Sequence, residues 1–330
     1  MAYTTINDPS AYFQITLYTG NGGTQSITNG GNSDLQPDWL WIKDRDDNYK
    51  HLVVDSVRGA TKHLSSSAKA TEITNTANVT GFASDGFAIA SDGNVNANTE
   101  KYVAWQWKKT ADAGFDIVSY TGNDSAGRTI SHSLSAVPKM MIVKCRNVGK
   151  EWTIFHASLG NGKFMELDNT SAVQTATNRW NDTSPTSSVF SVGVDSSVNA
   201  SGQTYIAYLF AEKKGYSKFG SYVGNGNVNG SFIYTGQKSA FIMIKKATGA
   251  ANSWFIMDNK RSPFNVSLDF LLADTSDVNA TGSQERDLLS NGFKIRNSNN
   301  GLNTSGETYI YMAFAEQPFV TSTGVPATAR

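Results

Sequence analysis

The chain has 330 residues, of which 39% are hydrophobic, and its 28 basic residues balance 28 acidic ones. This length can bury sizeable cores, whereas zero net charge argues against nucleic acid or an anionic membrane as the main partner. No apolar run approaches the roughly 20 residues of a membrane-spanning helix, and the first residues lack the features of a secretory signal. The single cysteine excludes an intramolecular disulfide framework.

Short apolar runs separated by Asn, Gly, Ser and Thr clusters predict an all-β protein. The middle third of the chain shows this pattern best, and its run 139–144 is continuously apolar, as expected for a central strand covered on both faces. Seven short strands at this spacing favour a two-sheet antiparallel sandwich of jelly-roll type. In chain order the predicted strands are 115–120, 128–132, 139–144, 152–156, 164–167, 189–192 and 204–211.

The chain repeats itself three times. The string Tyr18-Thr19-Gly20-Asn21 returns after 102 residues, and again after 102, each time as tyrosine, one variable residue, glycine and asparagine. Four landmarks in a fixed order predict three copies of one module. The three landmarks that follow in each copy are the strings that begin at Trp39, Met140 and Phe241, the residues Phe87, Phe190 and Phe293, and the strings that begin at Tyr102, Tyr205 and Tyr309.

A module of this length can close its own core, unlike the shorter repeats of solenoids. We therefore predict three beads, called copies one, two and three, joined by the short linkers 108–114 and 213–215. The predicted divisions are an N-terminal arm 1–11, β-sandwich modules 12–110, 111–215 and 216–319, and a C-terminal tail 320–330. The arm and the tail are candidate anchors, with disordered ends as the alternative.

The last strand of each copy carries large apolar side chains at alternate positions, which lie on one face of a strand. We predict that this face is buried in the core of its own copy, and an exposed aromatic binding platform is the alternative. The residues concerned are Trp105 and Trp107, Tyr208 and Phe210, and Met312 and Phe314.

A repeated active site would place a reactive residue at the same position in each copy. Glu212 and Glu316 match each other, but copy one has Lys109 there, so no carboxylate pair for glycoside hydrolysis can be nominated. No histidine recurs in all three copies, and no two have the spacing of metal ligands. The four histidines are His51, His63, His132 and His156.

Three further motifs have structural interpretations. The string Asp44-x-Asp46-x-Asn48 begins like a calcium loop but lacks its glycine and distal glutamate, so we predict a polar hairpin turn. Cys145 is predicted to be a small strand residue rather than a reactive thiol. The glycine strings 20–23 and 224–227 are predicted hairpin turns, since neither GK[ST] nor a helix follows them. We therefore predict no catalytic, cofactor-binding or metal-binding residues, no cofactor and no enzymatic activity.

Several strings resemble a module of tailed-phage structural proteins that is frequent in marine phages. The resemblance covers nearly the whole chain, although copy two departs from it with Lys139-Met140-Met141 in place of an aromatic pair. No catalytic or ligand residues are established for this motif, so none can be transferred. The strings are PDWLWIKDR at 37–45, DSVRGATK at 55–62, SDGF at 84–87, YVAWQWK at 102–108, YIYMAFAE at 309–316 and PFV at 318–320.

The resemblance implies a virion structural protein, a tail-fibre, knob or capsid-decoration component on the surface of the phage particle. Its expected partners are other virion proteins of the capsid or tail, and further copies of itself, because phage appendages are usually symmetric homo-oligomers. The alternative function is a carbohydrate-binding adhesin for a host surface glycan, in which tandem copies would add avidity. A polysaccharide-degrading enzyme is a third, less favoured interpretation. Neither nucleic acid nor membrane insertion is expected.

Overall fold

Strands form nearly all of the regular structure in the computed structural model, which describes residues 2–328. The predicted all-β class is confirmed. Copy one contains β1 (Phe13–Thr19), β2 (Gln25–Ile27), β3 (Trp39–Asp44), β4 (Leu52–Asp55), β5 (Lys62–His63), β6 (Ile73–Thr74), β7 (Val79–Ala83), β8 (Gly86–Ile89), α1 (Gly93–Asn96) and β9 (Lys101–Trp107). Copy two contains β10 (Phe115–Thr121), β11 (Arg128–Ser131), β12 (Met140–Cys145), β13 (Thr153–His156), β14 (Lys163–Glu166), β15 (Gln174–Thr175), α2 (Thr177–Trp180), β16 (Val189–Val192) and β17 (Thr204–Phe210). Copy three contains β18 (Ser217–Val223), β19 (Phe232–Tyr234), β20 (Gln237–Lys246), β21 (Trp254–Asp258), β22 (Ser267–Leu272), β23 (Ala280–Leu289), β24 (Gly292–Ile295) and β25 (Thr308–Pro318).

Each copy has an inner and an outer group of antiparallel strands. In copy one the inner sheet has the order β1-β9-β3-β4 and the outer sheet the order β2-β8-β7. In copy two the inner sheet continues further, in the order β10-β17-β12-β13-β14-β15, and the outer sheet is the pair β11-β16. In copy three the strands β22 and β23 join both groups into one sheet of eight strands. The first strand pairs with the last and the second with the next to last, as in a jelly roll. The third and fourth strands depart from that topology because they form a simple hairpin.

The central strands are buried on both faces. Every residue of β3, β12 and β20 is buried, which confirms the prediction made from the continuous apolar run 139–144. One face of each inner sheet packs against the outer strands of the same copy and forms a small local core. In copy one this local core contains Leu40, Ile42, Val54, Phe87 and Tyr102.

The other face of each inner sheet contributes to one hydrophobic cluster shared by all three copies. The ring of Phe210 in copy two lies 5.6 Å from Trp39 of copy one and 6.0 Å from Phe314 of copy three, between ring centroids. Phe314 in turn stacks on Phe13 of copy one at 5.2 Å. The expectation of beads with fully separate cores is therefore wrong. Each of the strands β9, β17 and β25 has two buried faces. The face with the large alternating side chains packs in the shared cluster, and the opposite face packs in the local core of its own copy.

The copies close into a ring, so that copy one contacts copy three as well as copy two. Three backbone hydrogen bonds at equivalent positions define this ring, and the third joins segments from opposite ends of the sequence. The residue pairs, donor first, are Glu72 and Arg146 at 2.7 Å, Val173 and Ala247 at 2.9 Å, and Asn279 and Arg45 at 2.9 Å.

Side chains cross the same three junctions. Trp152 donates from Nε1 to the carbonyl of Ser65 in the preceding copy, at 2.8 Å. His51 occupies the corresponding position of copy one. Because Trp41 donates to Nδ1 of His51 at 2.8 Å, the proton of His51 lies on Nε2, which donates to the carbonyl of Leu272 at 3.0 Å. A histidine thus replaces a tryptophan in the contact that closes the ring.

Buried ion pairs reinforce two of the junctions. Both pairs are fully buried, and each receives a hydrogen bond from a neighbouring copy, which satisfies a carboxylate that would be costly to bury alone. Asp55 and Arg58 pair at 2.5 Å and Tyr208 donates to Asp55 at 2.7 Å, while Asp258 and Arg261 pair at 2.6 Å and Trp105 donates to Asp258 at 3.1 Å.

The two ends of the chain meet on copy three. Tyr3 donates to the carbonyl of Gly236 at 2.7 Å, and the side chain of Asn7 exchanges two hydrogen bonds of 2.7 Å with Ser322. Val320 pairs with Pro326 in an isolated bridge, so this part of the predicted tail folds back on itself. Met1, Ala329 and Arg330 lie outside the described residues, and the predicted anchoring role of the two ends stays a prediction. Within residues 2–328 no helix has the length and apolarity to cross a membrane.

Replacing Phe210 by Ala tests the shared core. We expect a loss of about 3–5 kcal/mol in the free energy of unfolding, since the change leaves a cavity among aromatic rings of three copies. Hydrogen exchange followed by mass spectrometry should show weaker protection in peptides from all three copies together. Phe232→Ala, at a side chain that is 47% exposed, is the control and should change stability by no more than about 0.5 kcal/mol. Loss of protection confined to copy two would contradict a shared core.

Candidate functional site

The recurring tyrosines form a stacked pair in each copy. Tyr18 lies on Tyr102 with 5.1 Å between ring centroids, and the hydroxyl of Tyr102 donates to Gly93 and accepts from Ala97. Every hydroxyl in these pairs is bonded to backbone, so none is available for chemistry. The equivalent pairs are Tyr120 with Tyr205 at 5.1 Å and Tyr222 with Tyr309 at 5.0 Å.

The glycine of the same motif and a buried asparagine from later in the copy, Asn199, fix the turn together, and we call this contact the turn lock. A Cβ on Gly122 would lie 2.1 Å from the carbonyl oxygen of Ala200, so only glycine fits there. Buried Asn199 accepts from the backbone N–H of Asn123 at 3.1 Å and donates to the carbonyl of Gly193 at 2.8 Å. The predicted hairpins are wrong in one respect. The strands on either side of each turn belong to different groups of the sandwich and do not pair.

Replacing Gly122 by Ala should destabilise the protein by about 1–3 kcal/mol, because the added methyl group must displace backbone. Urea denaturation would measure this change. Gly81→Ala is the matched control, since a Cβ at Gly81 meets nothing within 4 Å. An equal effect of the two substitutions would contradict the turn lock.

A buried lysine recurs in the three copies and was missed by the sequence analysis. Lys144 is the next-to-last residue of buried strand β12, and its ammonium donates to the carbonyls of Lys150 at 2.7 Å and of Lys69 in copy one at 3.1 Å. Burial lowers the pKa of Lys43, Lys144 and Lys245 to about 8 each. The available signal was a charged residue at the same position in each copy. Since carbonyls surround these amines, they hold turns and junctions in place.

The other residues considered in the sequence have structural partners. Asp44 accepts from the backbone N–H groups of Asp46 and Asp47 at 2.8 Å each, and β3 pairs with β4, so the polar hairpin turn is confirmed. Cys145 is buried in β12. Glu212 pairs with Lys218 at 2.7 Å. Within residues 2–328 no group of three His, Cys, Asp or Glu side chains has the arrangement of a metal site.

The histidines also have structural positions. His156 is buried, accepts from the N–H of Ser158, and contacts the carbonyl of Tyr311 in copy three at 3.2 Å. His63 contacts the side chain of Asn78 at 3.2 Å, and His132 lines a shallow surface cleft. Burial lowers the pKa of His156 to about 4.

His156 should make the protein sensitive to acid. Its pKa in the fold lies below the value of about 6.5 in an unfolded chain, so its contribution is present above pH 6.5 and is lost as the pH falls through 4. The shift corresponds to about 3 kcal/mol. Urea midpoints at pH 7 and pH 4 should therefore differ less for His156→Gln than for the original protein. Equal differences would contradict this assignment.

A cleft of about 640 Å³ lies where copy three meets copy one. One wall is strand β1, at the outer edge of its sheet. The opposite wall is the end of β25 with Asn259 and Lys260, and the N-terminal arm at Asp8 closes one side. Its size is that of a typical binding pocket. The sequence did not indicate this cleft, because its walls are about 300 residues apart along the chain.

The acidic groups of the cleft already have partners. Although burial raises the pKa of Asp8, hydrogen bonds from Ser10 and Ser33 lower it further and leave it below its ordinary value. Glu316 accepts from Asn259 at 2.7 Å and pairs with Lys238 at 3.4 Å. The carboxylates thus belong to the walls and form no pair for acid–base chemistry.

A smaller cleft of about 270 Å³ occupies the equivalent place beside β10 in copy two. Lys109 and Asp116 pair across it at 3.3 Å. The carboxylate of Asp116 also accepts from the N–H groups of Ile117 at 2.8 Å and Ser133 at 2.6 Å. The side chain of Asp116 therefore takes up one backbone N–H of the β10 edge, and the equivalent N–H of Ile15 in copy one has no such acceptor among the described residues.

Comparison with known proteins gives a family but no activity. A family model described as a domain of unknown function (DUF7483) matches residues 8–318, which span all three copies. No curated protein matches the chain. A solved structure described as "Crystal Structure of the STIV MCP" is 7% identical, with 60% of this chain and 85% of that chain covered and a TM-score of 0.17. This TM-score is too low to support an inference.

Proposed function

Since the chain belongs to the DUF7483 family of unknown function, we propose a role for it from its own residues. It is a structural protein of a virus particle, a tail-fibre, knob or capsid-decoration component exposed on the surface. Other virion proteins of the capsid or tail are its partners. It has no enzymatic activity.

One observation carries this proposal: the residues that recur in all three copies are used in building the fold of each copy and its junctions. The tyrosine pairs, the turn glycines and asparagines and the buried lysines are packed or hydrogen-bonded, as described above. An enzyme repeated three times would keep reactive groups open at equivalent positions, as a cleft with unsatisfied polar groups. A ring with a shared core suits a component that must resist mechanical and chemical stress, because unfolding one copy would expose apolar surface of the two others.

The test is detection of the protein in purified particles. Antibodies raised against the folded chain should label intact virions in immuno-electron microscopy, and mass spectrometry should find the chain in proportion to known structural proteins. A non-structural protein of the same virus provides the control. Detection of the present chain only in infected-cell extracts, and not in purified particles, would refute the proposal.

The expected homo-oligomer is part of the same proposal. The ring already brings three copies together within one chain, so further chains must associate through its outer surface. Light scattering after size-exclusion chromatography should give a multiple of the chain mass. A monomer at all concentrations tested would refute the homo-oligomer. The virion role would still be decided by detection of the protein in purified particles.

A second candidate function, adhesion to a host surface glycan, is favoured by an aromatic pair on β19. Phe232 and Tyr234 lie on the same face of this edge strand and are 47% and 52% exposed. Exposed aromatic rings near polar loops are suited to binding ligands that have both apolar and polar faces. A glycan array should show binding by the original protein that Phe232→Ser reduces at least fivefold. No bound glycan at high protein concentration would count against adhesion.

A further inference from the structure

Strand β1 has one unpaired edge along the cleft between copies one and three. Tyr12 accepts from Lys108, and Gly20 donates to Glu100, so the even-numbered residues between them direct their backbone groups to β9. In an antiparallel ladder the alternate residues direct theirs to the other side. The N–H and C=O groups of Phe13, Ile15 and Leu17 therefore point toward the cleft that these residues line.

These backbone groups have no hydrogen-bond partner within residues 2–328. In copy two, Asp116 covers the same edge by accepting from Ile117. Copy one has Gln14 in its place, and Gln14 instead accepts from Gly31 at 2.8 Å and donates to the carbonyls of Ser10 and Ser33. Natural proteins usually cover such an edge, since it can pair with another chain. Within the described part of the chain, the edge of β18 in copy three is also unpaired at Phe219 and Ser221, so what distinguishes copy one is that its open edge lines the cleft.

The groups offered by the cleft favour one kind of occupant. Both carboxylates, Asp8 and Glu316, already have partners, so the cleft has no spare acidic pair for a cation. Among the described residues that line the cleft, Phe13 is the single aromatic one and is only 3% exposed, so it offers no ring face to a sugar. What the cleft presents is a row of alternating N–H and C=O groups, and this pattern matches the backbone of an extended polypeptide.

We propose that the cleft binds an extended segment of a partner polypeptide, which adds to β1 as a further β-strand. At about 3.3 Å per residue, the edge from Phe13 to Leu17 accommodates a segment of about five residues. The segment must lack proline at the positions that pair with β1, because proline has no N–H to donate. This inference goes beyond the proposed virion role and does not depend on it.

The substitution Leu17→Pro tests the proposal on the protein side. It removes an N–H that points to the cleft and takes no part in the ladder with β9, which is where an edge strand tolerates proline. Ser221→Pro is the matched control, at the equivalent position on the edge of β18 and outside the cleft. A displayed random heptapeptide library, selected on the original protein, supplies the probes.

Selected peptides should bind the original protein and the Ser221→Pro variant equally, and bind Leu17→Pro at least tenfold more weakly in fluorescence polarisation. Hydrogen exchange at Ile15 and Leu17 should slow in the complex. A library that yields no binder sensitive to Leu17→Pro would overturn the proposal. An oligosaccharide that protects the same two amides without any peptide doing so would overturn it too.

A scan of backbone N-methylation on the best peptide keeps the test valid even if Leu17→Pro lowers stability, because it uses the original protein. Methylation at alternate residues should weaken binding at least tenfold, while methylation at the residues between them should change it less than threefold. A uniform effect along the peptide would mean recognition by side chains and would refute strand addition.

Discussion

The structure depends on aromatic rings that meet at the centre of three sheets. Each inner sheet is covered by its own outer strands on one face and by the two other copies on the other face. The innermost side chains, such as Trp39, Phe210 and Phe314, have no alternative burial within their own copy. Removing their surface from water is the main gain when the copies join. The junction hydrogen bonds, buried lysines and ion pairs then fix the orientation that this packing allows.

Much of the fold could be predicted from the sequence, and the reason is the repeat. Short runs in a fixed order gave the strands, and the continuous run 139–144 correctly indicated a strand buried on both faces. The ring could not be predicted in this way. Alternation in β17 identifies a buried face, but it does not say whether that face belongs to a local or a shared core. The closing contact between His51 and Leu272 was also hidden, because a histidine there replaces the tryptophan of the other copies.

The cleft was less predictable than the fold, because it arises where the copies differ. Position 14 has glutamine where copy two has Asp116, so the side chain that accepts from one edge N–H in copy two is replaced in copy one by a side chain bonded to Gly31. The N-terminal arm at Asp8 and the end of β25 form the other walls, and both lie outside the repeated landmarks. A comparison of the copies shows what they share, whereas the candidate site depends on what copy one alone has.

The hydrogen bonds between Asn7 and Ser322 place the two ends of the chain side by side. Copies one and three are also joined by the hydrogen bond between Asn279 and Arg45. The three copies could therefore follow one another along the chain in a different order and still form the same ring. Circular permutation is therefore open to this fold: a short connection between the present ends, with new ends in the linker 213–215, would preserve every contact of the core.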